Sequence, residues 1–99
     1  MIARVKQSGN YLETIDKNGK RISRMHCDDQ LLGNSDQIVV IQNGNYIETY
    51  DQDLKRIARM HKDIDRFLGA SGDTFSIQNG NYAETYDSKC KRISRSYSK

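Results

Sequence analysis

The phrase NGNYIETYD at residues 43–51 returns as NGNYAETYD at 79–87 and, with more substitutions, as SGNYLETID at 8–16. Working outward from it, Asn10, Asn45 and Asn81 align, and so do Tyr11, Tyr46 and Tyr82. Glu13, Glu48 and Glu84 form the next set, followed by Thr14, Thr49 and Thr85, then Asp16, Asp51 and Asp87. Arg21, Arg56 and Arg92 each precede an isoleucine, and Arg24, Arg59 and Arg95 come two residues after it. The copies are offset by 35 and then 36 residues. A period held this closely marks three copies of one supersecondary unit. Their approximate bounds are 4–29, 30–65 and 66–99, within a single domain spanning 1–99.

Each unit reads as β-structure. In IVVIQNGNYIETYD two β-favouring runs flank Asn43-Gly44, a dipeptide suited to both central positions of a type I′ turn. That turn would set Gln42 opposite Asn45, Ile41 opposite Tyr46 and Val40 opposite Ile47. The matching pairs are Ile77 with Tyr82 and Ser76 with Ala83 in the third copy, and Lys6 with Tyr11 and Val5 with Leu12 in the first. A second turn follows at DKNGK, DQDLK and DSKCK, each opened by an Asp able to accept hydrogen bonds from the turn's own backbone. Gly19 suits positive φ there, so Leu54 and Cys90 in its place predict mild strain or a different turn geometry. KRIxR then forms a third strand. LLGNS and RFLGAS supply a short fourth strand ahead of the second and third copies, and no copy of it precedes residue 4. The tail SYSK at 96–99 is expected to fray.

On the middle strand Tyr46, Glu48 and Tyr50 point one way, while Ile47, Thr49 and Asp51 point the other. Both faces mix large apolar groups with polar ones, as expected of small sheets flanked on both sides by copies of themselves. FLGASGDTFSIQNGNYAETYDSKCKRISR (67–95) resembles one blade of a β-propeller: short strand, hairpin, a YD corner, a turn and a last strand carrying KRI. The whole chain resembles small bacterial proteins of unassigned function that carry three such repeats. The resemblance implies an all-β fold of three antiparallel three- to four-stranded meanders around a pseudo-threefold axis. A tight three-bladed ring, or two chains paired into six blades, would satisfy it. A β-trefoil or β-prism is the alternative threefold arrangement.

Composition sets the limits on function. Apolar residues are 35% of the chain and charged ones 29%, thin for one thick core, so self-association, for instance a homodimer, would help by burying more surface. The N-terminus has no apolar signal core and no stretch approaches a membrane span, which makes a cytoplasmic protein without a membrane partner the expectation. Cys27 and Cys90 fall at non-equivalent places and are expected to be free thiols. No nucleophile elbow, P-loop or dinucleotide fingerprint occurs, and recurring carboxylates suit framework positions better than a catalytic centre. A non-enzymatic module without cofactors is therefore expected, acting in protein–protein interaction or self-assembly.

Two recurring sets are candidate contacts. Lys20, Arg21, Arg24, Lys55, Arg56, Arg59, Lys91, Arg92 and Arg95 hold nine of the sixteen basic residues. Such a set could bind an anion, a partner protein or a nucleic-acid backbone. The simpler interpretation is a charged edge strand with Glu13, Glu48 and Glu84 as cross-strand partners. Tyr11, Tyr46 and Tyr82 could stack on a ligand, although a tyrosine in such a strand more often fills space between sheets. His26 and His61 are equivalent, but Tyr97 takes the third place and no further ligand recurs with them, so no metal site is expected.

Overall fold

Each copy of the repeat folds into its own antiparallel meander, and the three meanders stack in a row. The computed structural model describes residues 1–61 and 64–97. The first sheet holds β1 (Arg4–Ser8), β2 (Tyr11–Ile15) and β3 (Arg21–His26). The second holds β4 (Gln30–Asn34), β5 (Val39–Asn43), β6 (Tyr46–Tyr50) and β7 (Arg56–His61). The third holds β8 (Arg66–Ser71), β9 (Thr74–Asn79), β10 (Tyr82–Asp87) and β11 (Arg92–Tyr97). Among the described residues no helix is long and apolar enough to cross a membrane.

The hairpin turn falls one residue later than Asn43-Gly44. Asn43 pairs with Tyr46, Gln42 with Ile47 and Ile41 with Glu48, which makes Gly44-Asn45 the turn. The other copies follow, with Ile77 opposite Glu84, Ser76 opposite Thr85, Lys6 opposite Glu13 and Val5 opposite Thr14. Gly44 has φ of 60°, and Gly9 and Gly80 take 58° and 63°, while no asparagine of the turns has positive φ. A single positive φ at the first central residue is the type II′ pattern, and glycine occupies that position. Because the pairing moves by two residues, every side chain keeps its expected face.

The second turns form as expected. Asp16, Asp51 and Asp87 each accept two backbone N–H groups through Oδ1, at 2.9–3.0 Å. Gly19, Leu54 and Cys90 take φ of 79°, 59° and 61°. Leu54 and Cys90 point into the core against the preceding sheet, so burial of their side chains offsets the backbone strain. Gly19 has no preceding sheet to fill.

In every sheet one face carries the recurring glutamate and the other the recurring threonine. The threonine face of the first sheet packs on the glutamate face of the second, where Leu12, Val5 and Met25 meet Val39, Ile41 and Leu31. The threonine face of the second packs in the same way on the third, where Val40, Ile47 and Met60 meet Phe75, Ile77 and Tyr86. Thr14 donates its hydroxyl to the Gln52 carbonyl at 2.7 Å, and Thr49 donates to the equivalent Ser88 carbonyl. Sheets approach most closely along β4 and β8. There a Cβ built on Gly33 would lie 2.6 Å from Cε2 of Phe67.

The two outermost faces break the apolar pattern. On the glutamate face of the first sheet Arg4 and Lys6 stand where the later sheets have Val39 and Ile41, then Phe75 and Ile77. On the threonine face of the third, Ser76, Ala83 and Ser96 replace Val40, Ile47 and Met60. Polar end units are how a stack of repeats keeps its last layers in water. The row measures 40 × 24 × 21 Å, and its two buried clusters join the first sheet to the second and the second to the third. The expected closure around a threefold axis is not formed; three separate sheets in an open row also replace the trefoil or prism alternative. The fraying expected of the tail is corrected in part: Ser96 and Tyr97 pair with Ala83 and Tyr82 in β11, while Ser98 and Lys99 lie outside the described residues.

Candidate functional site on the outer strands

Strands β3, β7 and β11 form one edge of their sheets, opposite the edge where β4 and β8 meet. The register of this edge builds the same cluster three times. Glu13 sits opposite Arg24, Glu48 opposite Arg59 and Glu84 opposite Arg95. Two residues earlier on the same face, Tyr11 lies opposite His26, Tyr46 opposite His61 and Tyr82 opposite Tyr97. Each arginine thus faces a carboxylate directly and a tyrosine diagonally, both within reach of a long side chain.

The guanidinium carbons of Arg24, Arg59 and Arg95 lie 3.9, 3.8 and 3.8 Å from the centroids of Tyr11, Tyr46 and Tyr82. His26, His61 and Tyr97 meet the same tyrosines edge-on, at centroid distances of 5.7, 5.2 and 5.7 Å. Beneath, Oε2 of Glu48 accepts from Arg56 at 3.5 Å and forms an ion pair with Nε of Arg59 at 3.3 Å, and Glu84 holds Arg92 and Arg95 at 3.4 Å each. Glu13 holds Arg21 at 3.2 Å and Arg24 at 3.7 Å. The arginine side chains stay about half exposed over a glutamate that is 3% exposed at Glu48 and 2% at Glu84.

A second anchor exists in two of the three clusters. The Tyr50 hydroxyl donates to Oε1 of Glu48 at 2.8 Å, and the Tyr86 hydroxyl donates to Oε1 of Glu84 at 3.0 Å. Burial first, then the hydrogen bond to Glu48, pushes the Tyr50 phenol up to about 12. Ile15 holds this place in the first copy, and Glu13 is correspondingly more exposed at 18%.

The candidate residues therefore come together in three parallel clusters. Lys20, Lys55 and Lys91 flank them on the turns, exposed, with their backbone N–H groups bonded to Asp16, Asp51 and Asp87. Tyr11, Tyr46 and Tyr82 are 42%, 37% and 37% exposed, at the rim, whereas Tyr86 is in the core. Cys27 and Cys90 are free thiols whose side chains pack with the clusters between the sheets, and burial raises the pKa of both. Ile22, Ile57 and Ile93 were not singled out from the sequence. Each is the extra residue where the outer strand slips register, and Ile57 and Ile93 are 37% and 59% exposed.

Charge concentrates here as well. The nine bases of the clusters face six recurring acids, Glu13, Glu48, Glu84, Asp16, Asp51 and Asp87, while the seven remaining bases and seven remaining acids cancel. The recurring charged positions alone therefore sum to +3, equal to the formal charge of the chain. No family model matches the chain, and no curated protein matches it.

Proposed function

We propose that the protein is a non-enzymatic binding module, a row of propeller-like blades whose outer edge docks an acidic partner protein. The observation that carries this is the threefold repetition of one cluster: a half-exposed arginine stacked on a tyrosine, held from below by a carboxylate that is buried in the second and third copies and partly buried in the first. Arginine and tyrosine are the residue types that dominate interface energetics, and holding them in place beforehand reduces the ordering cost of association. Ile57 and Ile93 add apolar area between the charges, which suits the mixed surface of a protein better than a bare phosphate chain.

Self-assembly through the ends of the row is the weaker form of this idea, because Arg4, Lys6, Ser76, Ala83 and Ser96 leave both outer faces polar. The test compares proteins retained by the wild type with those retained by the triple variant Arg24→Ala, Arg59→Ala, Arg95→Ala. A partner retained by the wild type and lost by the variant supports the reading. An unchanged set of retained proteins overturns it.

A polyanion is the second reading, favoured by the nine recurring bases along this edge, three more than the recurring acids beside them. Polyphosphate, RNA and single-stranded DNA titrated across salt distinguish it. Counterion release requires affinity to fall steeply with salt, and a shallower slope for the triple variant.

A further inference from the structure

The first sheet has three strands where its two sisters have four, and the strand it lacks is the inner one. In the second sheet β5 turns the backbone groups of Val40 and Gln42 toward β4, where they pair with Gly33 and Gln30. In the third, Ser76 and Gln78 pair with Gly69 and Arg66. The equivalent residues of β1 are Val5 and Gln7. The two-residue hairpin makes Ser8 with Tyr11 a hydrogen-bonded pair, so Lys6 and Arg4 also bond to β2 while Val5 and Gln7 point their N–H and C=O groups outward. β1 is correspondingly the most exposed of the three equivalent strands, with only Val5 partly buried.

We propose that this edge is a strand-binding slot for an extended segment of a partner protein, running antiparallel to β1 and carrying the pattern apolar–Leu–Gly. The sister sheets supply the template, as QLLGN in β4 and RFLGA in β8 occupy the same place. They also explain the glycine. Phe67 lies against Gly33 so closely that a Cβ would overlap its ring, and Leu31, the equivalent of Phe67, packs against the cluster shared with the first sheet. The residue of the incoming strand opposite Leu31 meets the same constraint. The row of inner strands β8 and β4 continues into the slot, because β1 is the next strand that β4 approaches. Arg4 and Lys6 on the glutamate face guard the edge against indiscriminate pairing, which leaves the fit at the glycine to select the partner. This site is independent of the arginine clusters on the opposite edge.

The probe is the synthetic peptide DQLLGNSD, residues 29–36 of this chain, titrated into the intact protein and followed by amide NMR with hydrogen exchange. Saturable binding with exchange at Val5 and Gln7 slowed about tenfold or more is expected. A peptide carrying Gly33→Ala should bind about tenfold more weakly or worse. Gln7→Pro in the protein removes an outward N–H that β2 does not use, and should abolish binding while the spectrum of β2 and β3 is kept. Equal affinity for the alanine peptide, no protection at Val5 and Gln7, or protection at β7 and β11 instead would overturn the proposal. A two-chain mass without peptide, with Val5 and Gln7 already protected, would also overturn it by giving the slot to a second copy.

Discussion

Arg59 reaches Glu48 through Nε at 3.3 Å, from a side chain that is 40% exposed to one that is 3% exposed. This pair joins the interior of the middle sheet to its outer edge. The glutamate has two functions at once, closing the space between sheets with its stem and fixing the arginine against Tyr46.

Removing the anchor should therefore affect stability and edge together. Glu48→Ala leaves Arg56, Arg59 and the Tyr50 hydroxyl without their acceptor, and a loss of about 2–3 kcal/mol is expected from a broken charge-assisted network. Glu13→Ala should cost about 1 kcal/mol or less, because its pairs are more exposed and no tyrosine bonds to it. Urea denaturation of the two variants gives the order directly, and equal losses would refute the distinction.

The inner edge makes a separate demand. Gly33→Ala places a methyl against the Phe67 ring, and overpacking of this kind costs about 1–3 kcal/mol. The double variant Gly33→Ala, Phe67→Leu should recover part of that loss, measured as a coupling in a double-mutant cycle.

The ends of the row predict a gain of association. Converting Ser76→Val, Ala83→Leu and Ser96→Met gives the last threonine face the residues of the inner ones. An apolar sheet face of that kind left in water should drive self-association, seen by sedimentation as mass above 11.4 kDa. A variant that remains a single chain would show that those three positions do not cap the stack.

High pH tests the Tyr50 phenol. Its folded value is raised to about 12 from an ordinary 10, so the folded state holds this proton more tightly than the unfolded one. The resulting stability is present below pH 10 and is lost as pH rises from about 10 to 12. Tyr50→Phe should make the denaturation midpoint less sensitive to pH over that window, while an unchanged slope would remove Tyr50 as a contributor.

Much of this architecture is legible in the residues. The repeat fixes three β-units, Asp16, Asp51 and Asp87 mark their turns, and the positive φ at Leu54 and Cys90 follows from alignment with Gly19. The hairpin register differs from the expected one because Asn-Gly and Gly-Asn are both turn dipeptides in NGN, and only backbone geometry decides which pair turns. Ring or row could not be taken from the recurring letters, which are the same in both. It is written instead in the letters that change: Lys6, Ile41, Ile77 on one face and Leu12, Ile47, Ala83 on the other. At the site, the glutamate partners were visible in the sequence. Stacking of arginine on tyrosine was not, since it depends on a diagonal contact that spacing alone does not give.

Docking through the outer strands is tested most directly by site-specific photo-crosslinking. A benzoylphenylalanine at Ile57 on β7 and, separately, at Ser76 on the open face of the third sheet samples the two competing surfaces. The account predicts one discrete adduct with a different protein from position 57, lost when Arg59 is changed to Ala, and none from position 76. An adduct from position 76 alone, or one from position 57 with the mass of two chains, would contradict it.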